Sequence, residues 1–313
     1  MKKSLQGNVL LFITALIWGA AFVAQKVGVV QVGTFTLTSV RFFVSGIALL
    51  PFAVWRTRSH KSKDEQIGSK GIYRKAERRA LILGSVICGL CLMFATVTQQ
   101  YGLTYTTAGK AGFITALYIL FVPIFRFFGG KKASLVIWLS VVAALAGLYL
   151  LCVKEGLSVN SGDLYVLLCA LIFTVHILVV DRFSPNVDGV VMSCIQFFVA
   201  SISAAIPMLI VEKPEISTVL ACWAPLLYLG AVSGGIGYTL QILGQQRTDP
   251  TVASLIMSLE AVFAAISGVI FLNESFTGRE IAGCALVFAA TLVSQVDFRQ
   301  LRFGKRKPDQ ESS

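Results

Sequence analysis

Residues 15–51 read ALIWGAAFVAQKVGVVQVGTFTLTSVRFFVSGIALLP, and residues 170–207 read ALIFTVHILVVDRFSPNVDGVVMSCIQFFVASISAAIP. With Trp18 set on Phe173, the two stretches stay in register without a gap through Arg41-Phe42-Phe43 against Gln196-Phe197-Phe198. Each then reaches a proline, Pro51 and Pro207, with a slip of one. Each stretch is two long apolar runs joined by a short turn, too apolar for a water-soluble fold. A stretch used twice in this way predicts an internally duplicated membrane protein, and duplication in a membrane points to transport.

Composition agrees. Of 313 residues, 56% are hydrophobic and 14% charged, where a soluble domain carries about a quarter charged. The charges are gathered into a few short segments, leaving runs of about 20 residues that span a hydrocarbon core as helices. The net charge of +11 does not point to nucleic acid, because no basic helix face or aromatic platform accompanies it. The seven cysteines fall mostly inside apolar runs; Cys88-x-x-Cys91 has redox or metal spacing but no second pair or nearby histidine, so packing cysteines are expected. The first apolar run, after Lys2 and Lys3, has the look of a secretory signal, yet its repeat partner deep in the chain argues for a retained helix.

Ten spans are predicted, near 9–30, 34–54, 80–100, 107–128, 135–153, 163–180, 189–211, 224–244, 250–272 and 278–296. The one long connection, residues 55–79, holds nine Lys/Arg and reads as a loop. With the N-terminus inside, 21 of the 27 Lys/Arg lie on the cytoplasmic side. Only Lys154, Lys213 and Arg279 lie outside, and Lys26, Arg41 and Lys110 lie in or at the ends of spans. This asymmetry puts both termini in the cytoplasm. The duplication continues beyond the first helices, since GLTYTTAGKAGFITALYILF from Gly102 matches GQQRTDPTVASLIMSLEAVF from Gly244 at an offset of 142. That offset pairs Gln99 with Gln241, Tyr118 with Glu260 and Lys132 with Glu274. Five spans per half is an odd number, so the second half must lie upside down. The expected fold is an all-α membrane protein of ten transmembrane helices in two inverted five-helix repeats. The first repeat covers 8–154, the second 160–297, and a basic cytoplasmic tail 298–313.

Several motifs then resemble one family. They are Trp18-Gly19 with Phe22, Gly102-x-x-Tyr105-Thr106-Thr107-Ala108 leading to Ala111-Gly112-Phe113, Pro123, Ser258-Leu259-Glu260, and Leu272-Asn273-Glu274-Ser275-Phe276-Thr277. The pattern resembles the EamA-type branch of the drug/metabolite transporter superfamily, from about Gly7 to Val296. It departs from the family at Gly130-Lys131-Lys132, where a Gly-Glu-Arg is common, and in the long basic connection. The resemblance implies a secondary transporter of small metabolites, often an exporter, with a central cavity between the halves, in the cytoplasmic membrane.

Ionisable side chains inside apolar spans are the first candidates for a pathway. Glu260 falls near the middle of span nine, where a carboxylate can hold a substrate ammonium or carry a coupling proton, or be a structural acid locked to a neighbouring helix's hydroxyl or base. Arg41 can grip a carboxylate or phosphate in a forked geometry, or pair with helix carbonyls or a sheltered acid. Lys110 and Lys26 can both reach the interface, and Lys110 is the better candidate because small residues around it allow close approach. Gln99 and Gln241 suit a zwitterion beside a cavity or serve as interhelical hydrogen-bonding groups. His176 offers a proton relay or simple packing, and Trp18, Phe22, Tyr118 and Tyr238 can wall a pocket. No phosphate loop, nucleophile elbow or metal spacing is present in the sequence. No enzyme activity, cofactor or metal is therefore expected. The expected partners are a small-molecule metabolite and the lipid bilayer, with a homodimer compatible and nucleic acid not. The primary reading is an amino acid or a derivative leaving the cell by alternating access. Efflux of drugs or other cationic compounds is the rival, and a membrane-embedded sensor or enzyme the remote one.

Overall fold

The computed structural model describes residues 2–67, 71–106, 108–153, 159–272 and 277–295. Residues 273–276 of the last family motif, Lys154, the tail 298–313 and the side chains of Phe22 and Lys26 lie outside the described residues. Every regular element among those described is helical, as a bilayer demands of a chain whose backbone groups must be bonded within the segment. Three long helices open the chain: α1 (Lys2–Val32), α2 (Thr34–Ile67) and α3 (Gly71–Leu103). They are followed by α4 (Ala108–Thr115), α5 (Tyr118–Phe128), α6 (Leu135–Cys152), α7 (Ser161–Phe183) and α8 (Gly189–Pro207). The short α9 (Ile216–Ala221) and α10 (Trp223–Leu227) lead into a π segment, Tyr228–Tyr238, and then α11 (Thr239–Gln245), α12 (Pro250–Met257), α13 (Glu260–Leu272) and α14 (Gly278–Ser294). Nine segments among the described residues are long and apolar enough to cross a membrane. The residues of the tenth expected span form the 17-residue α14, which is not among those nine.

The sequence expectation needs correction in two places. The basic connection 55–79 is not a loop on its described parts, because α2 runs on to Ile67 and α3 begins at Gly71. Lys, Arg, Glu and Gln are good helix formers, and no Gly or Pro interrupts residues 55–67, so nothing ends the helix when it leaves the apolar phase. Spans four and nine are each broken in two rather than continuous. The breaks fall at residues 116–117 and 258–259, and both tighten to i−3 hydrogen bonds, Leu117 N to Ile114 O (3.1 Å) and Leu259 N to Ile256 O (3.2 Å).

Contacts between helices recur in register. Helices α2 and α8 cross with Phe42 stacked on Phe197 (centroids 6.0 Å apart, planes 7° apart) and Phe43 edge-on to Phe198. On one side of this crossing Ser39 and Ser201 exchange hydroxyl-to-carbonyl bonds of 3.1 and 2.9 Å. On the other side the Cys194 thiol donates to Gly46 O, and Cys194 and Gly46 are the positions 155 residues from Ser39 and Ser201. Gly89 lies against Gln196 O and Val199, so that a Cβ there would sit 2.6 Å from that carbonyl. Gly230 lies in the same way against Arg41 O and Val44, the register mates of Gln196 and Val199. Thr106 donates to Asp163 (2.6 Å), and its mate Thr248 donates to Asn8, the mate of Asp163 (3.0 Å). Helices α6 and α14 meet through Gly147 and Gly283, each approaching the other's carbonyl too closely for a side chain.

Polar contacts tie the helix ends. At one end of the bundle Glu212, following α8, accepts from Phe35 N (2.9 Å), Thr36 N (2.7 Å) and the Thr36 hydroxyl (2.6 Å). Its carboxylate fills the space beside Gly33, whose φ of +84° suits glycine. At the same end Lys110 donates to Asp163 (2.6 Å). At the other end Arg56 pairs with Asp188 (2.8 Å), and Arg126 donates to Asp249 and Thr251. Burial works against the Asp188 charge, but bonds from Val191 N, Arg56 and Val190 N outweigh it and hold the carboxyl below its ordinary range.

Candidate functional site

The two helix breaks face one buried cavity. Its lining contains four register-matched pairs: Trp18 with Phe173, Gln99 with Gln241, Thr115 with Met257, and Tyr118 with Glu260. Gln25, Arg41, Ile177, Ser233 and Tyr238 complete it. Glu260 is the first residue of α13 and Tyr118 the first of α5. The breaks bring them within reach, and the Tyr118 hydroxyl donates to Glu260 Oε1 at 3.2 Å. A carboxylate has about four lone-pair sites, so Glu260 retains capacity for a further donor. Gln99 donates from Nε2 to the Thr115 hydroxyl (3.1 Å), while Gln241 Oε1 is buried without a partner among the described residues.

Arg41 is 4% exposed. Its guanidinium stands 4.5 Å over the Phe42 ring, and its Nε and Nη1 have no hydrogen-bond partner among the described residues. A buried donor left unmade costs about 1–3 kcal/mol, more when charged, so an anion entering the cavity would meet donors waiting for it. Trp18 is oriented by a bond from Nε1 to Ser233 O (3.2 Å) and packs against Tyr238 with centroids 4.6 Å apart. Tyr238 in turn touches the rings of Phe42, Phe197 and His176. Ser233 lies within the π segment that ends at Tyr238, and π-bulges are frequent at functional sites.

Of the residues singled out by the sequence, Glu260, Arg41, Gln99, Gln241, Tyr118 and Trp18 are gathered at this cavity. Lys110 and His176 are not. Lys110 is held by Asp163 near the start of α7. His176 is fully buried behind the wall, its Nε2 3.2 Å from Gln196 Oε1. Sequence reading did not single out Thr115, Met257, Phe173, Ile177, Gln25 or Ser233. The register could have found two of them, since Phe173 is the mate of Trp18 and Ile177 that of Phe22. The cavity offers about 40 Å³ to the centres of water-sized molecules, room for three or four waters at about 10–15 Å³ each. A metabolite requires a wider state than this one.

Comparison with known proteins agrees with the geometry. The model of the EamA-like transporter family matches residues 5–153 and again residues 160–295. An uncharacterized transporter of Archaeoglobus fulgidus is 30% identical over 299 residues, covering 93% of this chain and 86% of its own. An S-adenosylmethionine uptake transporter of Rickettsia prowazekii is 24% identical, covering 83% and 82%. A solved crystal structure with 19% identity superposes with a TM-score of 0.73 over 94% of this chain and 98% of that one, which establishes the shared fold.

Proposed function

The chain belongs to the EamA-like transporter family, and from that premise we propose that it is a secondary carrier of a zwitterionic amino acid or amino-acid derivative. The observation that carries the proposal is the joint presence of Arg41 and Glu260 in one buried cavity, a cation with unused donors and a carboxylate with unused acceptor capacity. Together they complement a molecule bearing both a carboxylate and an ammonium, while Gln99 and Gln241 supply neutral bonds between them. Coupling to protons through Glu260 belongs to the same proposal.

The halves 8–154 and 160–297 are proposed as inverted repeats that rock about this cavity, with the termini in the cytoplasm of a cell-membrane protein. The register-matched contacts of α2 with α8, of Gly89 and Gly230, and of Thr106 and Thr248 support this reading, as does the twofold family match. Discontinuous helices beside a midplane site are a recurrent feature of such carriers. Export is the direction that the family resemblance implies. The relative named for S-adenosylmethionine uptake supports the amino-acid-derivative class but moves its cargo inward, so direction would follow coupling rather than fold.

Metabolite profiles of cells lacking or overproducing the protein, followed by counterflow in vesicles, test the proposal. Zwitterionic amino acids or derivatives should exchange, and Arg41→Gln should cut exchange about 10–100-fold at low substrate concentration. Efflux of a lipophilic cation that ignores Arg41→Gln would replace this reading with its rival, for which the one supporting feature is an acid among aromatic rings. Arg41 in the same cavity disfavours that rival.

A further inference from the structure

Thr57, near the end of the apolar part of α2, and Glu212, just after α8, stand at opposite ends of the α2–α8 seam, and the two ends differ. Glu212 is long enough to cross the seam and cap the start of α2, closing that end. Thr57 turns its hydroxyl back onto Ala53 O (2.8 Å) instead of reaching across, and beside the Arg56–Asp188 tie its end of the seam keeps an opening. The opening is a groove of about 390 Å³. Leu50, Val54, Val191, Ile195 and Phe198 form its walls, over the buried Ala53 and Cys194. The groove's polar groups are Thr57 and Arg58 at the rim. Arg58 is exposed and makes no hydrogen bond or ion pair with any described residue, whereas its neighbour Arg56 is engaged by Asp188. Trp55, 63% exposed, stands beside them, and a run of Lys and Arg follows to residue 79. Exposed Trp next to clustered cations at the end of an apolar span marks the membrane–water boundary.

We propose that this groove is a binding site for an anionic phospholipid. One acyl chain lies between α2 and α8 along Leu50, Val54, Val191 and Phe198, and the phosphate is gripped by the Arg58 guanidinium. The apolar walls face hydrocarbon and would hold a chain of either a charged or a zwitterionic lipid. Selection for negative charge comes from Arg58, whose fork matches a phosphate, and from the basic run that raises the local concentration of anionic headgroups. The seam is where the two proposed repeats cross, so a lipid lodged there would also brace one end of that crossing.

The test uses the purified full-length protein in neutral detergent, offered equal amounts of phosphatidylglycerol and phosphatidylcholine, with retained lipid read by native mass spectrometry. The expected result is one retained phosphatidylglycerol, preferred about tenfold. Arg58→Gln should cut that preference to twofold or less without changing the thermal midpoint, since the side chain is exposed and pairs with no described residue. Val191→Trp should fill the groove and remove the retained lipid. A photoactivatable phosphatidylglycerol should label peptides covering 50–58 and 191–198. Equal retention of both lipids, an unchanged preference in Arg58→Gln, or label confined to other peptides would overturn the proposal. So would displacement by glycerol phosphate alone, which would make the site one for a soluble anion. Arg58→Gln decides the matter even if Val191→Trp misfolds.

Discussion

Arg41 carries a charge that its register mate does without, since Gln196 occupies the matched position and bonds His176. A charge with unused donors in a buried cavity weakens the empty protein, because removing an unpaired buried ion in favour of a neutral group relieves desolvation. Arg41→Gln should therefore hold or raise the thermal midpoint of the ligand-free protein while weakening substrate binding about 10–100-fold. That range corresponds to the roughly 1.5–3 kcal/mol of a hydrogen bond to a charged group, and paired unfolding and binding measurements check it. Glu260→Gln addresses coupling: exchange without a proton gradient should persist at weakened substrate affinity, and the response of net transport to an imposed pH gradient should vanish. A retained response would move coupling elsewhere. Both residues were legible in the sequence because an ion inside an apolar run is conspicuous. The partners that occupy Lys110 and His176 were not, since Asp163 and Gln196 lie 53 and 20 residues away and only folding brings them near. Met257 was hidden for the opposite reason, because an apolar side chain in a membrane helix draws no notice.

At the scale of elements, the spans were legible from apolar length but their interruptions were not. A break that keeps i−3 hydrogen bonds needs no proline or glycine, and neither Ala116-Leu117 nor Ser258-Leu259 contains one. The π segment was hidden too, yet it left a trace in the register. Gln99 pairs with Gln241 at an offset of 142, whereas the contacts of Gly89 match those of Gly230, at an offset of 141. The difference is the single residue that a π-bulge inserts into a helix. The seams themselves rest on glycine. A Cβ at Gly89 would lie 2.6 Å from the Gln196 carbonyl, a backbone atom that cannot swing aside, while a Cβ at Gly112 would meet nothing within 4 Å. Gly89→Ala and Gly230→Ala should each cost about 1–3 kcal/mol as overpacked sites. Gly112→Ala should be neutral or stabilising by up to about 1 kcal/mol through helix propensity. Thermal unfolding of the three variants separates close packing from a general intolerance of substitution.

For the whole molecule, the cavity is narrow and polar contacts tie both ends of the bundle, and the ties are unequal. The end proposed as external is held by Lys110 and Asp163, whose side chains are 14% and 6% exposed, and by the Glu212 cap on α2. The end proposed as cytoplasmic is held by Arg126 with Asp249, the latter 46% exposed, and by Arg56, 43% exposed, with Asp188. Exposed pairs contribute about 0–1 kcal/mol, whereas breaking a buried pair costs about 3–5 kcal/mol. The ligand-free protein should therefore open toward the cytoplasm more readily than outward. A cysteine placed at Met257 in an otherwise cysteine-free protein reports this, since Met257 lines the cavity. A membrane-impermeant thiol reagent should modify it faster from the cytoplasmic face of oriented vesicles than from the outer face. Asp249→Asn should raise the cytoplasmic rate by about two- to fivefold, the shift that up to about 1 kcal/mol allows, and leave the outer rate no higher. The joint change Lys110→Gln with Asp163→Asn, which removes the buried pair without stranding either charge, should raise the outer rate instead. Faster labelling from the outer face in the unmodified carrier would reverse the assignment of the weaker gate, and labelling from neither face in all three proteins would remove Met257 from the pathway.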